Sequence, residues 1–126
     1  AELLRALEVA GLRWGIVTNK TERFTLPLAR TMPVLQGAAV VVAGDTTPHP
    51  KPHPEPLLEA ARRLQLPPSA CLYVGDDKRD IDAARAAGMP DVAALWGYLG
   101  EHDVAAWGAQ AEAAQPAEVL ALIGLQ

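Results

Sequence analysis

Short, wholly apolar runs alternate with helical patterns along this chain, and this alternation restricts the possible fold more than any other feature. The run at 38–43 reads Ala-Ala-Val-Val-Val-Ala and contains no polar residue that could face solvent. A strand of this kind is typical of a parallel sheet that helices cover on both faces. We therefore predict an open, doubly wound α/β fold, with the strands at 14–18 and 38–43 buried on both faces.

The remaining elements follow from hydrophobic periodicity and from the positions of glycine and proline. Gly11 and Gly88 stand where the residue after a helix adopts a left-handed conformation. Prolines near residues 54 and 116 fall in the first turns of helices, where they are tolerated. The pattern predicts helices at 1–10, 21–31, 54–64, 80–87 and 116–122, further strands at 72–75 and 92–96, and a short edge strand at 109–114.

Composition excludes several classes of function. The 126 residues are enough for one domain, 1–126, and the net charge of −4 provides no basic field to attract nucleic acid. No apolar run approaches the ~18 residues of a membrane span, and the first residues do not resemble a signal peptide. The single cysteine, Cys71, opens an apolar run and is expected to be a buried thiol. We expect a cytoplasmic protein without nucleic-acid or membrane partners.

Three carboxylates follow the predicted strand at 72–75. Asp76, Asp77 and Asp80 lie just beyond its carboxyl end, where open α/β sheets place their ligands. Hard oxygen ligands favour Mg²⁺ over Zn²⁺. The alternative is an acidic turn in which Asp80 caps the next helix.

Two other polar sites could bind an anion. Thr18, Asn19 and Lys20 directly follow a strand and precede a helix, so a hydroxyl and unpaired amides could hold a phosphate, although Thr18 or Asn19 could equally be a helix cap. Lys51 is flanked by Pro50 and Pro52, which stiffen the backbone and hold its charge in position. A solvated loop lysine is the alternative there.

The order of these sites along the chain resembles the second, third and fourth motifs of the haloacid dehalogenase superfamily of phosphohydrolases. The resemblance is strongest to its bacterial phosphoglycolate phosphatase group and covers nearly the whole chain. The segments that carry it are GIVTNK at 15–20, GDTT at 44–47, KPHPEPL at 51–57, GDDKRD at 75–80, IDAARAAG at 81–88 and WGY at 96–98.

The resemblance implies catalytic roles for the phosphate-side residues. Thr18 would donate a hydrogen bond to the transferring phosphoryl group, and Asn19 would supply a further polar contact. Lys51 would neutralise the phosphate and hold the nucleophile in place. The physical demands of phosphoryl transfer, which are charge neutralisation and in-line positioning, agree with these roles.

The resemblance also implies a Mg²⁺ cofactor at the acidic cluster. Asp76 would ligate the metal directly. Asp80 would act through a metal-bound water or through the Lys51 ammonium, and Asp77 would contribute to the metal site from further away.

The family's nucleophile and acid/base are two aspartates in an Asp-x-Asp-Gly-Thr pattern after its first strand, and this sequence contains no such pattern. Asp45 follows a strand but belongs to the GDTT segment, so it is not taken as the nucleophile. We expect the chain to be the C-terminal part of such an enzyme. The family's sheet order, 3-2-1-4-5, would leave the missing strand between the strands at 14–18 and 72–75.

A gap of this kind would have to be repaired. The two strands could pair directly, another copy of the chain could fill the space, or a missing N-terminal segment could occupy it. Whichever repair operates, the side chains of Thr18, Lys51 and Asp76 are expected to converge at the carboxyl edge of the sheet.

Several functions stay open. The substrate would be a small phosphorylated metabolite, either 2-phosphoglycolate or a sugar phosphate such as N-acetylmuramic acid 6-phosphate. A non-catalytic remnant that binds Mg²⁺ or phosphate is a second class. A phosphorelay receiver is disfavoured because its acidic pair would precede the threonine and the lysine.

The histidines and tryptophans carry less information. His49 and His53 are four residues apart, but they lie in a proline-rich loop, so a zinc pair is not expected. His102 is expected to be solvated. Packing roles are expected for the tryptophans, which are Trp14, Trp96 and Trp107.

Overall fold

The computed structural model describes residues 2–95 and 107–123, and within them helices alternate with short strands as predicted. The helices are α1 (Glu2–Val9), α2 (Glu22–Thr31), α3 (Glu55–Leu64), α4 (Lys78–Ala87) and α5 (Pro116–Leu122). The strands are β1 (Gly15–Val17), β2 (Val40–Val42), β3 (Tyr73–Gly75), β4 (Asp91–Ala94) and β5 (Ala111–Ala113), and 3₁₀ turns lie at Pro33–Leu35 and Pro68–Ala70.

The strands form two parallel sheets rather than one. β1 pairs with β2, and β4 pairs with β3 on one side and β5 on the other. Every pairing is parallel, as continuous apolar strands separated by helices require. The predicted α/β class is confirmed. The sheet is incomplete because β1 and β3 lie in separate sheets and are not joined by strand pairing.

The structure corrects two details of burial. Val40 and Val42 of β2 are buried, but in β1 Gly15 is exposed and Val17 is only half-buried. β1 is therefore not buried as predicted, and within residues 2–95 and 107–123 no strand pairs with its edge away from β2. Cys71 is likewise only partly buried, although burial still raises the pKa of its thiol.

Most predicted boundaries hold to within a few residues, and the exceptions have local causes. α4 begins at Lys78, two residues before the predicted start at residue 80, because Asp77 is its N-cap. The predicted strand at 92–96 runs from Asp91 to Ala94, and its last residue, Trp96, lies outside the described residues, as does His102.

Helix α3 connects the two sheets through its apolar face. Ala60 packs with Val40 and Val42 of the β1–β2 sheet. Leu57 belongs to a cluster with residues of α4, and Tyr73, the first residue of β3, packs against it. Apolar burial on one helix therefore holds both sheets in a fixed relation.

A groove separates β1 from β3, which do not pair with each other. It has a volume of about 420 Å³, part of it open to solvent. Its lining is almost wholly apolar and consists of Gly15, Val17, Val40, Leu57, Ala60, Ala61, Leu64, Cys71, Leu72, Tyr73 and Met89. Of the three repairs expected for a missing strand, direct pairing of β1 with β3 is therefore not the one adopted.

Across the parts of the chain that the structure describes, no helix combines the length and the apolar character that crossing a membrane requires.

The role of α3 can be tested with two neighbouring leucines. Leu57 is fully buried, whereas Leu58 is 39% exposed. Leu57→Ala should lower the free energy of unfolding by about 2–5 kcal/mol because it leaves a cavity between the sheets. Leu58→Ala, the matched control, should cost less than about 1 kcal/mol. Urea unfolding followed by circular dichroism measures both, and equal losses would contradict the assignment of α3 as the connecting helix.

Candidate active site

The site lies at the carboxyl end of β1, where one backbone carbonyl points across the groove. The amide of Thr18 donates a 3.0 Å hydrogen bond to Val42 O in β2. The carbonyl of the same peptide unit, Val17 O, must point to the opposite edge because N–H and C=O are antiparallel in a trans peptide. It therefore faces β3, where the polar groups of the site meet it.

The ammonium of Lys51 occupies the centre of this arrangement. Its Nζ lies 2.5 Å from Asp80 Oδ1 and 2.9 Å from the hydroxyl of Tyr73. It also donates to Val17 O at 3.2 Å. The side chains of Lys51 and Asp80 are only 9% and 8% exposed. The three donors of the ammonium thus have three acceptors, which positions the charge and removes most of its freedom.

Asn19 holds the backbone of Lys51 through two hydrogen bonds. Its Nδ2 donates to Lys51 O at 2.9 Å, and Lys51 N donates to Asn19 Oδ1 at 2.9 Å. The peptide between Lys51 and Pro52 is cis. Sequence reasoning assigned Asn19 a contact with phosphate, but the structure commits its amide group to positioning the lysine.

Asp80 links the lysine to the loop after β3. Its Oδ2 accepts hydrogen bonds from the amides of Asp76 at 3.1 Å and Asp77 at 3.2 Å. A Cβ at Gly75 would overlap the side chain of Asp80, so the approach of this loop to the carboxylate requires glycine. The Asp80 carboxylate therefore fixes the position of both the Lys51 ammonium and the backbone that carries Asp76.

Asp77 is the N-cap of α4. Its Oδ1 accepts from the amide of Arg79 at 2.9 Å, and with Asp80 it completes a reciprocal capping box. Arg79 also reaches the carboxylate through its guanidinium. These hydrogen bonds from Arg79 lower the pKa of Asp77. The alternative prediction that Asp80 caps this helix is wrong, because the cap is Asp77 and Asp80 is its partner at the third helical position.

Asp76 differs from the other two carboxylates. It is exposed, and its carboxylate accepts no hydrogen bond from any residue that the structure describes. Asp77 and Asp80 are already engaged by Arg79 and Lys51. Of the three, Asp76 is therefore the one whose oxygens fit direct ligation of a hard cation such as Mg²⁺.

Thr18 lies one residue beyond Val17, at the same end of β1. Its Oγ1 accepts a 3.2 Å hydrogen bond from the amide of Lys20, which leaves the hydroxyl proton available as a donor. Neither Thr18 nor Asn19 caps α2, because the N-cap of that helix is Thr21. The contact of Thr18 with a phosphoryl oxygen stays a prediction.

Asp45 is committed to structure. Its Oδ1 accepts from the amide of Glu22 at 2.7 Å, which satisfies an unpaired donor in the first turn of α2. Thr46 donates to Glu22 Oε1 and accepts from the amide of Ala43. The Asp45 carboxylate therefore serves the start of α2 rather than the site at Lys51.

Tyr73 is the functional residue that sequence reasoning missed. Its hydroxyl donates a 3.2 Å hydrogen bond to Val17 O and accepts a hydrogen bond from Lys51 Nζ. Burial, followed by the negative charge of Asp80, raises the pKa of Tyr73 well above its ordinary value, so the phenol stays protonated. The available signal was its position: an aromatic residue with a polar end, two residues before the glycine that closes β3.

Comparison with known proteins identifies the family. The family model for haloacid dehalogenase-like hydrolases matches residues 1–94. The chain belongs to the haloacid dehalogenase-like hydrolase family. Within this family, Thr18, Lys51 and the aspartates after β3 lie in the segments on which the resemblance rested.

Individual relatives of this haloacid dehalogenase-like chain are phosphatases by name. The phosphoglycolate phosphatase of Xanthomonas campestris pv. campestris (strain 8004) is 51% identical over 118 residues, which are 93% of this chain and 53% of that protein. The N-acetylmuramic acid 6-phosphate phosphatase of Pseudomonas aeruginosa is 42% identical over 94% of this chain and 53% of its own length. The chain thus spans about half the length of these relatives.

A solved structure supports the fold. The crystal structure of a predicted phosphoglycolate phosphatase from Haemophilus somnus 129PT superimposes with a TM-score of 0.89 and 29% identity. The match covers 97% of this chain and 54% of that one. The two parallel sheets described above therefore correspond to part of a haloacid dehalogenase-like core.

The buried ion pair can be tested against a surface pair on the same helix. Asp80→Ala leaves the Lys51 ammonium buried without its counter-charge and should lower the free energy of unfolding by about 3–5 kcal/mol. Asp82 pairs with Lys78 on the exposed face of α4, where the side chains are 37% and 60% exposed. Asp82→Ala should cost less than about 1 kcal/mol. Chemical denaturation compares them, and similar losses would refute the central role of Asp80.

The helix cap makes a separate prediction about pH. Asp77→Ala should cost about 1 kcal/mol of stability, and Asp77→Asn less, because asparagine keeps an acceptor oxygen. The pKa of Asp77 is lowered in the folded protein from its ordinary value of 3.8. Its charge-dependent stabilisation is therefore present above that value and is lost as the pH falls through the lower folded pKa.

The measurement is the stability difference between the wild type and Asp77→Asn as a function of pH. The difference should be constant at neutral pH and should shrink below about pH 4. A difference that grows on acidification would show that the assigned cap is wrong.

Proposed function

We propose that this chain forms part of a Mg²⁺-dependent phosphomonoester hydrolase. The observation that carries the proposal is the placement of the Lys51 ammonium, which Asp80, Tyr73 and a backbone carbonyl hold at the carboxyl end of β1. A fixed cation at a strand end is suited to a phosphate, and the Asp76 carboxylate, which accepts no hydrogen bond from the described residues, is suited to its metal ion. The family and the names of the relatives support the same chemistry.

Each side chain has a distinct task in this proposal. Lys51 neutralises charge on the phosphoryl oxygens, and the hydroxyl of Thr18 donates a hydrogen bond to one of them. Asp76 holds Mg²⁺, with Asp77 nearby. Bound Mg²⁺ supplies further neutralisation of the phosphate charge. Asp80 and Asn19 are positioning residues, because they act through the ammonium and the backbone of Lys51.

The nucleophile comes from an extended segment that occupies the groove between β1 and β3. The groove is lined by apolar side chains and has an unpaired strand edge on each side. A strand inserted there would accept and donate ladder hydrogen bonds along both edges, and its carboxyl end would emerge beside Lys51. An N-terminal segment of a longer chain would supply it, whereas a segment of a second copy could fill the groove but would bring no Asp-x-Asp-Gly-Thr pattern.

The substrate is a small phosphorylated metabolite, and 2-phosphoglycolate is the first candidate. N-acetylmuramic acid 6-phosphate is the second, because the Pseudomonas aeruginosa relative is named for it. A cytoplasmic location is proposed with this activity, and it agrees with a chain whose only cysteine is an unpaired thiol.

The proposal predicts when activity appears. The 126-residue chain alone should release no phosphate from 2-phosphoglycolate in the presence of Mg²⁺, since its sequence contains no Asp-x-Asp-Gly-Thr pattern. Joining to its N-terminus the part of the Xanthomonas campestris relative that it does not match should restore turnover. In this fusion, Lys51→Ala should lower kcat by a factor of about 10²–10³, the cost of one electrostatic stabiliser.

Phosphate release measures each variant, and Lys78→Ala is the matched control. Lys78 is exposed and pairs with Asp82, so its loss should leave kcat unchanged. Asp76→Asn should mainly raise the Mg²⁺ concentration that the fusion requires. If the chain alone released phosphate, and Asp76→Ala abolished that release, the chain would contain its own nucleophile. Asp45 would then be the candidate. A folded but inactive fusion would favour a non-catalytic protein, and activity on N-acetylmuramic acid 6-phosphate alone would select the second substrate.

A further inference from the structure

The proline-rich loop before α3 gathers two imidazoles and a carboxylate that the phosphatase chemistry does not use. His49 and His53 stack with their ring centroids 4.7 Å apart and tilted by 31°. One ligand atom from each of His49, His53 and Glu55 lies within 4.8 Å of the other two. Sequence reasoning did not expect the histidines to meet, because the loop has no helical periodicity. The fold brings them together nonetheless.

The loop is held in this shape by its own hydrogen bonds. The hydroxyl of Thr47 donates to His49 O at 2.9 Å, and the amide of His53 donates to Pro50 O at 3.0 Å. The rings therefore approach each other without a bound ion, and little rearrangement is needed to close them around one.

A second observation at the same place concerns Glu55. Its Oε2 is buried but accepts no hydrogen bond within the described part of the chain. Buried carboxylate oxygens are nearly always satisfied, and one without a donor calls for an explanation. A cation bound by the Glu55 carboxylate and the two imidazoles would provide this oxygen with a positive partner.

We propose that His49, His53 and Glu55 bind a divalent transition-metal ion of the zinc class. Imidazole nitrogen and carboxylate oxygen at about 2.0–2.2 Å are the ligands that Zn²⁺ takes, and two histidines with one glutamate form a three-ligand site with an open fourth position. Mg²⁺ prefers oxygen ligands and keeps its waters, so it does not compete for this set. The site is chemically distinct from the carboxylate of Asp76.

Binding changes one existing contact. The amide of Glu55 donates to His53 Nδ1 at 3.1 Å, so the neutral ring carries its proton on Nε2. Coordination through Nδ1 displaces this amide, and coordination through Nε2 moves the proton to Nδ1 and breaks the same hydrogen bond. His53 therefore exchanges a contact with the first turn of α3 for a metal bond, whereas His49 loses no side-chain hydrogen bond described in the structure.

The position of the site indicates what the ion would do. Lys51 lies between the two histidines in sequence, and its ammonium reaches Asp80. An ion that joins residues 49, 53 and 55 therefore closes a loop around the lysine and restrains the backbone that Asn19 also holds. The ion is a clamp on the Lys51 loop and takes no part in phosphoryl transfer.

Calorimetric titration of the protein, without an affinity tag, with ZnCl₂ in excess MgCl₂ at about pH 7.5 tests the proposal. We expect one saturable site that Mg²⁺ does not displace. His49→Ala and Glu55→Gln should each weaken Zn²⁺ binding by more than about tenfold. Losing a residue that only supports a metal ligand already lowers metal affinity by about tenfold or more, and losing a ligand should lower it further. Co²⁺ in place of Zn²⁺ should give visible absorption bands that both variants lose.

Controls separate this site from other ligands in the chain. Cys71→Ser, His102→Ala and Asp76→Asn should leave Zn²⁺ affinity unchanged, and circular dichroism establishes that each variant is folded. His49→Gln replaces His49→Ala if the latter does not fold. Absence of saturable Zn²⁺ binding by the wild type would overturn the proposal. Unchanged affinity in the folded His49 and Glu55 variants, or displacement by Mg²⁺, would overturn it as well.

Discussion

The ion pair between Lys51 and Asp80 is the interaction on which the rest of the site depends. Both side chains are almost fully buried, and a buried charge is stable only when its partner and its remaining hydrogen-bonding positions are satisfied. Here the ammonium has three acceptors, and Asp80 also accepts two backbone amides. The loop at Lys51, the end of β1, strand β3 and the start of α4 are therefore tied to one point of charge. Little else in the described structure joins so many elements.

The second constraint is the division of the strands into two parallel sheets. Helix α3 packs on the first sheet and joins the second through α4 and Tyr73, and the contacts of Lys51 and Tyr73 with Val17 O bridge the two sheets. The groove between them runs to this bridge. Open α/β sheets bind ligands outside the carboxyl ends of their strands, where the strand order changes direction. The polar groups thus lie where such a fold is expected to place a site, beside an edge that can accept another strand.

Much of this could be predicted from the sequence because it depends on local patterns. The helical face of α3 and the apolar run that contains β2 are visible as periodicity, and Gly88 marks the end of α4. The burial of β1 was overestimated, since burial depends on which strand lies alongside. The roles of Asn19 and Tyr73 were missed for a related reason. Each acts through a partner more than twenty residues away in sequence, and no local pattern encodes that distance.

The sequence by itself determined the alternation of helices and strands, the family to which the chain belongs and the presence of a lysine and three aspartates at strand ends. These features follow from side-chain periodicity and from short motifs, which neighbouring residues specify. The tertiary structure alone decided that Asp77 caps α4, and it selected the Lys51 ammonium from the two partners that the resemblance allowed for Asp80. It also decided that His49 and His53 face each other beside Glu55. The physical reason is that hydrogen bonding and burial are set by contacts in space, and identical side chains a few residues apart acquire different chemistry from different neighbours.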